Sequence, residues 1–404
     1  MLKNVRSQLT DHSWQTLELA LTVLLWQAST GVFLLSLVQQ YLPQQLEANA
    51  AFTGYALAVY AAGRFLLQTP AGWLADRLGR RRTLTLGISV SLPAVLLMLQ
   101  VQDPTSFLVF SGLYGAGSAA VWPAIMAYVG DTRQPSARGR TLNFLNLSQM
   151  AGMGLGALVG VTLIDLISYQ AAFAACLSFS GLALAFAYRG SREPTAAAPT
   201  WAAIRPSGGL WRRLLSTQVL LLAAIALLLS TGTTVQAPVV GAYASEVLET
   251  KLYVLGFMLL APATVAGFLA VRYGHVADRF GRQVPLIGGL AVAAGCFIAL
   301  SQTTHPVLAV HLVVLAGLGY AVSIPAWGAA ALDASEFGGR GLMLGMLATV
   351  QGFGGAAGQA IGGMTNAAWG PVAPFKMGAL LLMLAIVLVL FHLRHQRRHA
   401  PVSA

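Results

Sequence analysis

Long, nearly unbroken apolar stretches alternate along this chain with short polar ones rich in Gly, Arg and Asp. The clearest apolar stretch is MGALLLMLAIVLVLF, Met377 to Phe391. With its flanks, from Pro374 to His392, it reaches the roughly 20 residues that a helix needs to cross a bilayer. About twelve such segments follow one another, centred roughly at residues 30, 62, 92, 118, 151, 178, 229, 262, 292, 319, 352 and 382. The pattern predicts an all-α polytopic membrane protein of twelve transmembrane helices. The first apolar run, from about Leu19 to Leu42, is too long for the core of a signal peptide and has no small-residue cleavage site behind it, so it is expected to stay as helix 1.

The polar stretches repeat. GWLADRLGRRR, residues 72 to 82, reappears as GHVADRFGR, residues 274 to 282, an offset of 202 between Gly72 and Gly274. The same offset pairs Gly115 with Gly317, Pro123 with Pro325, Asp131 with Asp333, Arg138 with Arg340, Gln149 with Gln351, Gly152 with Gly354, Gly156 with Gly358 and Gly160 with Gly362. Polar and glycine positions that hold one register over four helices imply two six-helix pseudo-repeats. Because six is even, the halves run in the same direction, an arrangement found in transporters, with binding expected near the bilayer midplane. The domains are then 1–189, an N-terminal bundle; 190–213, a weakly apolar linker; and 214–404, a C-terminal bundle.

Composition agrees. Hydrophobic residues make up 56% and charged residues 9%, against about 25% charged in soluble proteins. The net charge of +11 raises the question of nucleic acid, which placement answers. Apart from Arg64, Lys251 and Lys376, every Lys and Arg falls on one side of the twelve-helix path. That is the positive-inside pattern of cytoplasmic loops, so nucleic acid is not an expected partner and both termini are expected in the cytoplasm. Cys176 and Cys296 lie within expected helices at no metal-binding spacing. His392, His395 and His399 are interleaved with arginines and read as a lipid-facing tail. No metal and no cofactor are expected.

The loop GWLADRLGRRR between expected helices 2 and 3 resembles the cytoplasmic loop signature of the major facilitator superfamily, and GHVADRFGR between helices 8 and 9 resembles its weaker second copy. The resemblance covers essentially the whole chain and points to the twelve-helix, drug-efflux-like branch. It implies that Asp76 and Asp278 latch the cytoplasmic ends of the halves, with Gly72, Arg77, Gly79, Arg80, Arg279, Gly281 and Arg282 as companion gate residues. Read from the residues alone, the same loops are topology anchors, a role that explains the arginines but not the aspartates. Helix 5 departs from the family's antiporter signature, with Ala157 where that signature has proline, and Ser111 stands where proton-coupled exporters carry a helix 4 arginine. The glycine ladders of helices 5 and 11 read either as close packing or as faces that slide during transport.

Ionisable residues at membrane depth are costly and default to function. Arg64 is the clear case, about twelve residues or roughly 18 Å before Asp76 on one helix. It reads as an anion-binding residue or as a structural charge bonded to backbone carbonyls. No carboxylate lies deep, so a cation is poorly served. The acids that remain as proton-coupling candidates, Asp131, Glu18 and Asp165, are all peripheral. The resemblance implies that helices 1, 4, 7 and 10 line the cavity. That makes Gln27, Thr30, Tyr114, Trp122, Thr234, Gln236, Tyr320 and Trp327, with Arg64, the substrate-binding candidates, a set that suits an amphipathic or organic solute.

The expected function is a secondary transporter of a small amphipathic or organic compound, exporting it by alternating access through a bacterial-type inner membrane. The expected partners are that solute, the bilayer and protons as a candidate coupling ion, and the expected state is a monomer. An organic-anion carrier using Arg64 and a non-transporting membrane receptor or scaffold are the alternatives. No nucleophile, base and orienting acid converge at membrane depth, so an enzyme is not expected.

Overall fold

The computed structural model describes residues 2–132, 135–190, 217–251, 253–258, 283–333 and 340–399. Among these the secondary structure is helical throughout. The chain separates into two compact units, Met1–Ala203 and Ile204–Ala404. The expected linker 190–213 lies almost wholly outside the described residues.

In the N-terminal unit α1 runs Leu2–Val32, widens into a π-helical stretch Phe33–Tyr41 and closes at Leu42–Gln45. It is followed by α2 (Ala50–Leu78), α3 (Arg80–Met98), α4 (Pro104–Ser118 and Val121–Thr132), α5 (Pro135–Leu166) and α6 (Tyr169–Gly190). In the C-terminal unit α7 comprises Thr217–Thr234, a 3₁₀ turn Ala237–Val239 and a π-helical turn Tyr243–Val247. Only residues 253–258 of the expected α8 are described. Then come α9 (Gln283–Leu300), α10 (Pro306–Asp333), α11 (Arg340–Trp369) and α12 (Ala373–His399). Among the described residues nine helices are long and apolar enough to cross a membrane, which bears out the all-α polytopic reading.

Local chemistry sets the helix ends. Asn49 caps α2 by accepting the Ala51 and Phe52 amides through Oδ1, and Asp103 caps α4 by accepting the Ser106 amide at 2.8 Å. Those backbone bonds hold the Asp103 carboxyl below the usual carboxylate range. Between α2 and α3 the chain turns at Gly79, φ 97°, a backbone state that a side chain resists. The break in α4 at Ala119 and Ala120 precedes Pro123, whose missing N–H leaves the carbonyl four residues earlier without its helical donor.

Within each unit the helices pair in the same way. In the N-terminal unit α1 packs on α5 and α6, α2 on α4, and α3 on α4 and α6; in the C-terminal unit α7 packs on α11 and α12, and α9 on α10 and α12. Glycines make the closest approaches. A Cβ on Gly152 or Gly156 would run into the Leu24 or Ala28 carbonyl of α1. On α11, one on Gly354 would meet the Leu227 carbonyl of α7 at 2.9 Å and one on Gly358 the Thr231 carbonyl at 2.6 Å. The ladders are therefore packing surfaces.

The repeat also extends to further positions at the same offset. Gly87 and Gly117 bring α3 against α4, and Gly289 and Gly319, each 202 residues on, bring α9 against α10. Tyr41 ends the π-helical stretch of α1 and Tyr243 opens that of α7, and they pack on Phe173 (ring centroids 5.1 Å) and Phe375 (4.7 Å). Each hydroxyl donates to a backbone carbonyl, Tyr41 to Val101 and Tyr243 to Thr303. Glu47 and Glu249 follow with φ of 50° and 47°.

Candidate functional site

The N-terminal unit holds a shallow, open concavity between α1, α2, α4 and α5. On α2, Gly63 lies so close to α4 that an added Cβ would meet the Gly112 carbonyl at 2.5 Å. One residue on, Arg64 turns into the concavity with Gln27, Trp122 and Gln149. Among the described residues the Arg64 guanidinium has no ion pair or hydrogen bond.

Trp26, 2% exposed, forms the floor and stacks on Tyr114 at 5.6 Å. Tyr114 is itself fully buried and hydrogen-bonds Ser29 Oγ at 3.1 Å. Ser29 Oγ also donates to the Cys176 carbonyl and lies 2.6 Å from Ser180 Oγ, which ties α1 to α6. The expected substrate residues thus divide. Gln27, Arg64 and Trp122 share the concavity, whereas Tyr114 is buried beneath it and Thr30 donates to the Trp26 carbonyl inside the bundle. Trp26 and Gln149 join the wall without having been singled out as substrate residues. In the sequence Gln149 stands out only as the repeat mate of Gln351.

In the C-terminal unit Gln236 stands at the break in α7 and donates through Nε2 to the Thr233 carbonyl at 2.6 Å, while its Oε1 is buried with no partner among the described residues. Thr234 Oγ1 donates to the Gly355 carbonyl of α11 at 3.1 Å. Tyr320 is exposed on α10. Trp327 lies in the apolar core of its unit.

At the end of the N-terminal unit away from Asp103, Arg80 joins three elements. Its guanidinium pairs with Asp76 at 2.9 Å and with Asp131, the last turn of α4, at 2.8 Å, and it donates to the Ala75 carbonyl at 2.7 Å. Arg77 lies over the Trp73 ring at 4.0 Å, and Gly72 faces Pro123 of α4. Asp278, Arg279, Gly281 and Arg282 lie outside the described residues. Of the coupling candidates, Asp131 is engaged by Arg80, Glu18 lies on α1 and accepts the Thr22 hydroxyl through its backbone carbonyl, and Asp165 is near the end of α5.

A model of the Major Facilitator Superfamily matches residues 19–306 and 222–404, most of the chain. The chain belongs to the Major Facilitator Superfamily. It is a family of membrane transporters rather than enzymes. Among curated proteins this superfamily member is 31% identical over 124 residues to Multidrug resistance protein MdtL of Klebsiella pneumoniae, 31% of each chain. It is 32% identical over 135 residues to the MFS-type transporter ppzB of Metarhizium majus, 33% of this chain and 28% of the other. The chain thus matches about a third of the length of these relatives. Solved structures share the fold over nearly the full length. An auto-inhibited POT family peptide transporter superposes with a TM-score of 0.72 at 13% identity, covering 96% and 98% of the two chains. The human organic anion transporter MFSD10 superposes at 0.64 and 16% identity, covering 93% and 98%.

Proposed function

We propose that this superfamily member is a secondary transporter that exports small amphipathic organic compounds by alternating access. In this reading it works as a monomer in a bacterial-type inner membrane with both termini in the cytoplasm. One observation carries it: Arg64, Gln27, Gln149 and Trp122 share one concavity in the N-terminal unit. An aromatic wall with a few convergent polar groups suits a solute that is part apolar and part hydrogen-bonding. The similarity to a multidrug resistance protein supports the direction and the breadth of substrate. Asp76, Arg80 and Asp131 form the gate network, away from the solute. Protons are the proposed coupling ion, with Asp131, Glu18 and Asp165 as the candidate coupling groups.

The second reading, an organic-anion carrier, is favoured by the Arg64 guanidinium having no counter-charge among the described residues. A carboxylate or sulfonate on the solute would supply one. Flux of neutral, anionic and cationic solutes in proteoliposomes, with and without a pH gradient, separates the two on the parent and Arg64→Ala. Gradient-driven export of neutral solutes that survives Arg64→Ala is expected of the first reading. Selective loss of anion flux, indifferent to pH, would establish the second. Ligand binding with no flux at all would leave a receptor.

A further inference from the structure

The two units pack alike but are not chemically equal, and the difference is concentrated at one place. Gly156 and Gly160 press α5 against α1, and Gly358 and Gly362 press α11 against α7. Next in sequence to Gly156 and Gly358 stand Ala157 and Gln359 at the repeat offset, and on the facing helices Leu34 corresponds to Gln236. The C-terminal unit therefore carries two amides where the N-terminal unit carries alkyl groups.

Among the described residues neither amide oxygen has a donor. Gln236 Oε1 is buried and unpaired while its Nε2 is fixed on the Thr233 carbonyl. Gln359 Oε1 is also buried and unpaired. The two share a locality. The Gly355 carbonyl accepts Thr234, Gly358 abuts Thr231 and Thr234, and Gly362 abuts Val235 and Pro238. Positions 355, 358, 359 and 362 fall on one stripe of a helix with 3.6 residues per turn, so Gln359 lies on the stripe facing the break that Gln236 occupies.

Buried acceptors without donors cost stability, and alkyl side chains at the same repeat positions avoid that cost. An amide oxygen is a neutral acceptor, so it selects an N–H or O–H group. Residues 217–245 and 340–369 carry no acid, which disfavours a cation here. We propose that Gln236 and Gln359 form a subsite that reads a hydroxyl or N–H donor on a neutral amphipathic solute. The inference rests on the transport reading above and names the feature of the solute that this half recognises.

The test uses the neutral fluorophore aminomethylcoumarin and its N,N-dimethyl analogue, in which two methyl groups replace the N–H donors. Equilibrium binding to the full-length protein is measured for the parent, Gln236→Leu and Gln359→Ala, with melting temperature alongside. The parent is expected to favour the N–H probe by about tenfold. Either substitution is expected to remove most of that preference while leaving affinity for the dimethyl probe unchanged, and Gln359→Ala is expected to melt no lower than the parent. Equal binding of the two probes by the parent, or equal losses for both in the variants, overturns the subsite. A parent that binds neither probe overturns the subsite, while the transport reading stands or falls on the solute-flux panel above. Preferential binding without export from proteoliposomes supports the subsite and strikes the transport reading alone.

Discussion

Arg80 shows how one side chain joins elements that are distant in sequence. It meets Asp76 four residues before it and Asp131 at the end of α4, and it is 12% exposed against 25% and 26% for the two acids. Partly exposed pairs contribute about 0.5–1 kcal/mol each, but both pairs here share one cation. Asp76→Asn and Asp131→Asn should therefore be non-additive. The double variant is expected to lose less stability than the single losses combined, by about 0.5 kcal/mol or more in a melting or denaturant cycle. Strict additivity would show that Arg80 does not couple the two. Arg80→Ala should lower the maximal transport rate with little change in apparent KM, because the network lies roughly 18 Å along α2 from Arg64. All three residues stand out in the sequence, but each acid lies on its own helix, and nothing in the spacing tells which arginine an acid at the end of another helix will meet.

At the scale of the element, the glycines of α5 are not equivalent, and sequence spacing alone partly separates them. Gly152, Gly156 and Gly160 follow one face at every fourth position, while Gly154 falls on another. A Cβ on Gly156 would enter the Ala28 backbone, whereas one on Gly154 meets nothing within 4 Å. Gly156→Ala should thus destabilise by about 1–3 kcal/mol, the range for forcing extra atoms into a packed core. Gly154→Ala should be neutral or slightly stabilising through helix propensity. Thermal melting of the two variants in detergent checks the contrast, and equal effects would mean that α1 and α5 are not in backbone contact. The ends of α1 and α7 were harder to read. Tyr41 with Tyr243 and Glu47 with Glu249 stand at the repeat offset in plain sight, but a π-helical turn is a hydrogen-bonding pattern with no fixed side-chain signature. Glutamates at φ near 50° also run against residue preference. Glu47→Val, β-branched in that backbone state, is expected to cost about 1–2 kcal/mol, and Glu47→Gly less than half of that.

For the whole molecule, the fold class was legible because the bilayer imposes it, and the internal repeat because it is written in polar and glycine positions. Span length is set by membrane thickness and the repeat by matching glycines and charges. The site was legible only in part. Gln27, Arg64 and Trp122 meet in one concavity, but Tyr114, an equally attractive aromatic on the right helix, is turned into the bundle by Ser29. Which face of a nearly all-apolar helix looks inward depends on packing against its neighbours, and its own pattern barely encodes it.

Topology is the property of the whole chain that the charge pattern predicts most sharply, and three lysines test it. Lys251 and Lys376 are exposed, between α7 and the described start of α8 and near the start of α12, and Lys3 lies near the N-terminus. Two even-numbered halves with cytoplasmic termini put Lys251 and Lys376 on the outside and Lys3 within. A membrane-impermeant amine reagent applied to right-side-out spheroplasts should modify Lys251 and Lys376, and Lys3 only after permeabilisation, as read by peptide mass spectrometry. The reverse pattern would invert the protein and carry the Asp76–Arg80–Asp131 network to the outer face. A cytoplasmic gate could not then be built from it, and the arginines around it would have lost the anionic leaflet that explains their placement.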